Sequence, residues 1–83
     1  MIYFCDYTPL AAESMKNADM TNDDVQRVFN LGMSDGQFKK FLDWEGNRMG
    51  IHFQYDAYSL RYVIISVYKR PLVSKYAKSV EAK

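Results

Sequence analysis

The second half of this sequence is rich in cations and tyrosines, which are residue types that bind anionic groups and stack on planar ones. We predict that a binding set is drawn from Lys39, Lys40, Arg61, Tyr62, Tyr68, Lys69, Arg70, Lys75 and Tyr76. Basic side chains interleaved with aromatic ones on a sheet can hold phosphates and stack bases. The alternative is that the tyrosines pack in the core while the lysines keep the surface soluble.

His52 is the one histidine and therefore the candidate general base. Arg61, Lys69 and Arg70 are the cations that could stabilise negative charge developing at a phosphate. The sequence pattern positions no nucleophile beside His52, and a surface histidine without a catalytic role is the simpler interpretation. We therefore predict no catalytic residue, and these four residues form the alternative set.

Metal and cofactor sites are not expected. One histidine and one cysteine, Cys5, cannot supply the clustered ligands that zinc needs, and the acids are not spaced as in a calcium loop. The four glycines have turn or strand explanations, and none belongs to a phosphate-binding loop. Cys5 lies in an apolar run and is predicted to be a small buried side chain.

The charges are unevenly distributed along a chain whose net charge is only +1. Residues 1–35 carry six acids and two bases, whereas residues 36–83 carry nine bases and four acids. This division predicts either an electropositive face for an anionic partner or two surfaces that attract each other within the fold. No signal peptide is present and no apolar run is long enough to span a bilayer, so we expect no membrane association and a cytoplasmic location.

Two helices are expected in the first half of the chain. Residues 1–7 form an apolar and aromatic run that favours a strand. Thr8 followed by Pro9 indicates the start of a first helix, because proline tolerates the first helical position. Thr21, followed by acids in the first turn, indicates a second helix, and Gly32 is its expected C-terminal stop.

Strands are expected from residue 38 onward. After a loop over residues 33–37, residues 38–44 read as a strand and residues 45–48 as a hairpin turn. The alternation that begins at Met49 predicts a strand with one polar face, and residues 60–68 are apolar enough for a central strand. Residues 1–83 thus form one α+β domain, with two N-terminal helices on an antiparallel sheet of three to four strands. Residues 71–83 are predicted to be a basic amphipathic tail or a short helix.

The order of these elements resembles a small family related to the RelE and ParE toxins. The resemblance covers roughly residues 3–68 and rests on the threonine, acid and valine that open the second helix (Thr21, Asp24 and Val25) and on the β-branched run 63–68. It implies a RelE-like scaffold and, for a toxin-type ribonuclease, a surface that acts on RNA or the ribosome. The family usually has a histidine and an arginine in the first helix, where this sequence has Leu10 and Ser14.

Because those two residues differ, the resemblance favours a non-catalytic binding or inhibitor protein, of the kind that phages and mobile elements use to block a host protein. The expected partner is a host protein. The alternatives are a toxin-type endoribonuclease that acts on RNA or the ribosome, and a homodimeric module that pairs through an edge strand or its C-terminal tail.

Overall fold

The computed structural model describes residues 1–72 as two helices and a five-stranded sheet. In chain order the elements are β1 (Cys5–Tyr7), α1 (Pro9–Ala18), α2 (Asn22–Leu31), β2 (Met33–Ser34), β3 (Lys39–Trp44), β4 (Asn47–Asp56) and β5 (Arg61–Pro71). The predicted α+β class is confirmed. Of the tail predicted over residues 71–83, Pro71 is the last residue of β5, and residues 73–83 lie outside the described residues.

Local side-chain chemistry starts both helices where the sequence predicts. The Thr8 hydroxyl accepts a hydrogen bond from the Ala11 amide at 3.0 Å, and Pro9 occupies the first turn. Thr21 and Asp24 form a reciprocal capping box at the start of α2. Caps of this kind satisfy amides that have no partner within the helix, and each contributes about 1 kcal/mol to stability.

Gly32 follows α2 as predicted, but its role is close packing. Its φ of −77° is an ordinary extended value, so the backbone conformation does not require glycine. A Cβ at this position would lie 2.4 Å from the Val28 carbonyl oxygen and 2.7 Å from that of Phe41. The missing side chain therefore lets the end of α2 pack directly on β3.

The sheet is mixed, and the prediction of three to four antiparallel strands is wrong on both points. The strand order is β1-β5-β4-β3-β2, with β1 parallel to β5 and all other pairs antiparallel. The fifth strand arises because the expected loop over residues 33–37 begins with β2, which pairs with Lys40 and Phe41. The parallel pair is formed by β1, which precedes both helices in the sequence. β1 pairs with the outer edge of β5, the last strand, and runs in the same direction.

Two irregularities shape the long hairpins. The turn between β3 and β4 is only two residues, Glu45 and Gly46, with φ values of 50° and 80°. This double left-handed turn matches the twist of the strands that it joins. The β4–β5 register shifts between His52 and Phe53, so that Ile65 has no residue directly opposite.

The core lies between the helices and one face of the sheet. Met49, Ile51 and Phe53 of β4 are buried there. Phe29 of α2 joins them and lies in ring contact with Tyr62 and Phe53. The face of β4 that carries Met49 is therefore the one that the helices cover, and the alternate residues of the same strand point to the other side.

Candidate binding surface on the open face of the sheet

The second face of the sheet has no helix packed against it within residues 1–72, and we call it the open face. Strand alternation and the observed register assign a common set of side chains to it. They are Lys39, Phe41 and Asp43 of β3, Arg48, Gly50, His52 and Gln54 of β4, Arg61, Val63, Ser66, Tyr68 and Arg70 of β5, and Asp6 of β1.

Two arginines of the open face are held by the chain's own carboxylates. Arg48 donates to both Asp43 oxygens, at 2.7 Å and 3.1 Å. Arg61 donates to Asp6 at 2.9 Å and to the Cys5 carbonyl at 3.3 Å. The hydrogen bond from Arg48 holds the pKa of Asp43 below its usual range, and Asp43 in turn raises the pKa of Arg48. These two guanidinium forks are therefore already engaged.

Three arginines of this face also lie against aromatic rings. The Arg48 guanidinium is 4.6 Å from the Phe41 ring centre, and that of Arg70 is 5.1 Å from Tyr68. At the opposite end of the sheet, Arg61 lies 6.0 Å from the ring of Phe4. A cation over a ring face is attracted by the ring quadrupole, so each pair holds its arginine flat along the sheet.

Gly50 fits the open face because the ring of Tyr68 lies across it. A Cβ on Gly50 would be 2.1 Å from the nearest ring carbon and 2.7 Å from the phenolic oxygen. Tyr68 is nevertheless 41% exposed, so part of its ring remains in contact with solvent beside the Arg70 guanidinium. We call Tyr68, Gly50 beneath it and the flanking Phe41, Arg48 and Arg70 the Tyr68 platform.

Three residues of the predicted binding set lie on the covered face. Tyr62 packs in the core against Tyr3, Phe29 and other rings. The Lys40 ammonium donates to the Phe29 carbonyl at 2.9 Å, near the end of α2. Lys69 lies 3.5 Å from the Asp19 carbonyl, at the end of α1. Both lysines thus face backbone carbonyls at helix C-termini, where positive charge is favourable.

The structure does not gather the alternative catalytic set. Arg61 and Arg70 stand near opposite ends of β5, about 30 Å apart for a strand of this length. Lys69 is on the covered face, while His52 is half-buried on the open face, opposite Lys39 and Ser66 in the register. Among the members of the predicted binding set that fall within residues 1–72, Lys39, Tyr68 and Arg70 share one region of the open face.

Lys75 and Tyr76 of the predicted set lie outside the described residues. Within residues 1–72, no group of three His, Cys, Asp or Glu side chains is arranged to hold a metal ion. None of the helices in that range is both long enough and apolar enough to cross a membrane. Cys5 is half-buried, and its burial raises the pKa of the thiol.

Sequence reasoning missed Phe41, Asp43 and Gly50 as parts of this surface. Two features of the sequence could have indicated them. Alternate residues of β3 share a face, so Phe41 and Asp43 lie on the same side as Lys39. The other feature is Gly50, a glycine inside a strand. An interior glycine often marks a close approach by another group, and here that group is the ring of Tyr68.

The two first-helix positions that depart from the RelE-related pattern differ in their surroundings. Leu10 is 59% exposed. The Ser14 hydroxyl accepts a hydrogen bond from the Val67 amide at 3.1 Å and donates to the Ala11 carbonyl at 3.0 Å. Ser14 therefore satisfies an edge amide of β5 at a point that β1 does not reach.

Comparison of the chain with family models, with curated proteins and with solved structures finds no match in any of the three.

Proposed function

We propose that this chain is a non-catalytic binding protein that recognises another protein through the open face of its sheet. The observation that carries the proposal is the state of the arginines on that face. The forks of Arg48 and Arg61 are filled by Asp43 and Asp6, so these guanidiniums offer flat stacking surfaces and not free phosphate clamps. Arginine and tyrosine are also the residue types that dominate protein interfaces energetically.

The nature of the partner follows from the RelE-related resemblance, which remains a prediction. On that basis the protein is of the type that phages and mobile elements use, and it acts in the cytoplasm by blocking a host protein. Leu10 and Ser14 support a non-catalytic role, because neither supplies the charge or the proton transfer that RNA cleavage needs. A scaffold does not by itself imply function, so the open face has to be tested directly.

The test places a photo-crosslinking amino acid at position 68 and, as a matched control, at Lys16 on the exposed side of α1. After expression in bacteria and irradiation, position 68 should give one discrete adduct with a host protein, and position 16 should give none. The crosslinked partner, once purified, should form a stoichiometric complex with the unmodified chain. Equal labelling from both positions, or no adduct from position 68, would refute the proposal. Adducts of the chain with itself would indicate a homodimeric module.

A toxin-type endoribonuclease is the second candidate. It is favoured by the excess of nine bases over four acids in residues 36–83 and by His52, which lies opposite Lys39 on the open face. This candidate requires that the chain cut RNA, alone or with ribosomes, and that His52→Ala and Arg61→Ala suppress cutting while the fold persists. Growth arrest with cleaved RNA after induction would establish it, and intact RNA under all these conditions would exclude it.

A further inference from the structure

Two exposed cations, Lys39 and the Arg70 of the Tyr68 platform, lie on opposite sides of Gly50, and the register fixes their arrangement. On one side, Arg70 of β5 is opposite Arg48, which lies two residues before Gly50 in β4. On the other side, Lys39 of β3 is opposite His52, which lies two residues after Gly50. Gly50, covered by the Tyr68 ring, is therefore the midpoint of the diagonal from Lys39 to Arg70. Strand spacing and rise put each cation's Cα about 8 Å from that midpoint.

Lys39 and Arg70 are both exposed, and within residues 1–72 no carboxylate lies within ion-pair distance of either. Arg48 belongs to the same region, but Asp43 neutralises it. As far as residues 1–72 show, the region therefore presents two positive charges that no carboxylate pairs, on opposite sides of Gly50. Its charge complement is a pair of negative charges separated by an apolar or aromatic group.

We propose that the Tyr68 platform binds an extended acidic segment of a partner protein, in which two carboxylates flank one aromatic or large apolar side chain at alternate positions. In such a segment, residues two apart lie about 6.6 Å from each other on one face, and the long side chains of Lys39 and Arg70 span the remaining distance. The central side chain packs against the solvent-exposed part of the Tyr68 ring, beside the Arg70 guanidinium that lies 5.1 Å from the ring centre. This inference rests on the proposed function and specifies the chemistry of its partner.

The acids of the open face favour a polypeptide over a nucleic acid. Asp43 and Asp6 lie on the same face, and Asp56 is at the turn beyond it, where amide and hydroxyl hydrogen bonds lower its pKa and keep it ionised. A phosphate backbone carries one charge per nucleotide and would meet these carboxylates along the sheet. A peptide segment with only two acids brings fewer negative charges near these carboxylates.

The probe is a short synthetic peptide with glutamate, tryptophan and glutamate at alternate positions, titrated into the isotopically labelled full chain. Amide shifts should centre on Lys39, Gly50, Tyr68 and Arg70. A peptide with lysines in place of the glutamates should cause none. Absence of shifts at millimolar peptide would overturn the inference. So would stronger shifts of the same amides with an oligouridylate, which would assign the platform to RNA.

Matched variants separate the platform from cations elsewhere on the chain. Arg70→Gln should weaken peptide binding about fivefold, the upper end for one lost ion pair in a largely exposed site. Lys16→Gln is the control, because it removes one positive charge from the exposed side of α1. It should alter the affinity less than about twofold, because position 16 lies outside the proposed site. Equal effects of the two variants would overturn the assignment of the site.

Gly50→Ala tests the aromatic part without touching either cation. The new Cβ forces the far end of the Tyr68 ring to swing away, and because a tyrosine side chain can rotate, the core stays intact. The variant should keep its dispersed amide spectrum and lose most of the peptide-induced shifts. Unchanged binding would show that Tyr68 is not the stacking surface. A host adduct at position 68 together with an inert peptide would reject this inference alone and leave the proposed function standing.

Discussion

The two faces of the sheet are built from adjacent residues of the same strands, yet they are organised in opposite ways. On the covered face, Met49 and Ile51 are each 2% exposed and belong to one apolar cluster with residues of both helices. On the open face, Arg48 and Tyr68 alternate with them and remain in contact with solvent. The arginines there are paired with local acids or lie over aromatic rings, as Arg48 does with Asp43 and Phe41.

This difference indicates how the chain separates stability from recognition. Burial of apolar area, worth about 25 cal/mol per Å², is concentrated on the covered face. Exposed ion pairs and cation–π contacts add little to the free energy of unfolding, typically under 1 kcal/mol each. The pairs on the open face fix the orientation of side chains more than they hold the fold together. Substitutions on the two faces should therefore affect different properties.

The largest effect is expected from Phe29→Ala. Phe29 is 3% exposed and packs against three other rings, Tyr3 among them, so its loss should cost about 3–5 kcal/mol. Phe41→Ala, the same change on the open face, should cost about 1–2 kcal/mol, because that ring is only half-buried. Urea unfolding followed by circular dichroism measures both. Equal losses would mean that the open face is also covered in solution and would remove the distinction between the faces.

A smaller effect is expected at the edge of β5. Ser14→Ala removes the acceptor of the Val67 amide and should lower the free energy of unfolding by about 1–2 kcal/mol. The Val67 amide should then exchange its hydrogen faster than neighbouring core amides. Glu13→Ala, an exposed neighbour on the same helix, is the control and should change neither quantity. An unchanged Val67 exchange rate in Ser14→Ala would show that the serine does not protect this edge.

Sequence reasoning succeeded where a structure depends on neighbouring residues. The starts of α1 and α2 follow from Thr8 and Thr21, whose hydroxyls act on amides three residues away. The alternation from Met49 correctly assigned the two faces of β4, because side chains in a strand point to opposite sides at each step.

Sequence reasoning failed where a residue's pairing partner is distant in the sequence or where its backbone conformation is unusual. The pairing of β1 with β5 joins residues more than fifty positions apart, and no local pattern encodes it. Lys40 and Lys69 read as surface cations, but carbonyls at the helix ends draw them to the covered face. Leu60 adopts a φ of 58° at the tip of the β4–β5 hairpin, although a leucine at that position gives no turn signal.

The smallest expected effect concerns the Asp43–Arg48 pair and depends on pH. The pKa of Asp43 is lowered in the folded chain by its hydrogen bonds with Arg48, whereas the unfolded value is about 3.9. A lowered folded pKa gives stability that is present above about pH 4 and is lost as the pH falls through the folded value. Asp43→Asn should therefore be slightly less stable than the parent chain at neutral pH, and the difference should vanish as the pH falls through the folded pKa of Asp43.

Glu45→Gln is the control, because it also removes one negative charge, at the exposed turn next to Asp43. Unlike Asp43→Asn, it removes no side-chain contact to Arg48. Thermal unfolding of both variants between neutral and acid pH measures the difference. Because Asp43 and Arg48 are solvent-exposed, the effect of Asp43→Asn should also shrink in high salt, unlike that of Phe29→Ala. A difference that persists at low pH and in high salt would mean that Asp43 acts through packing. The open face would then contribute to stability in the same way as the covered one.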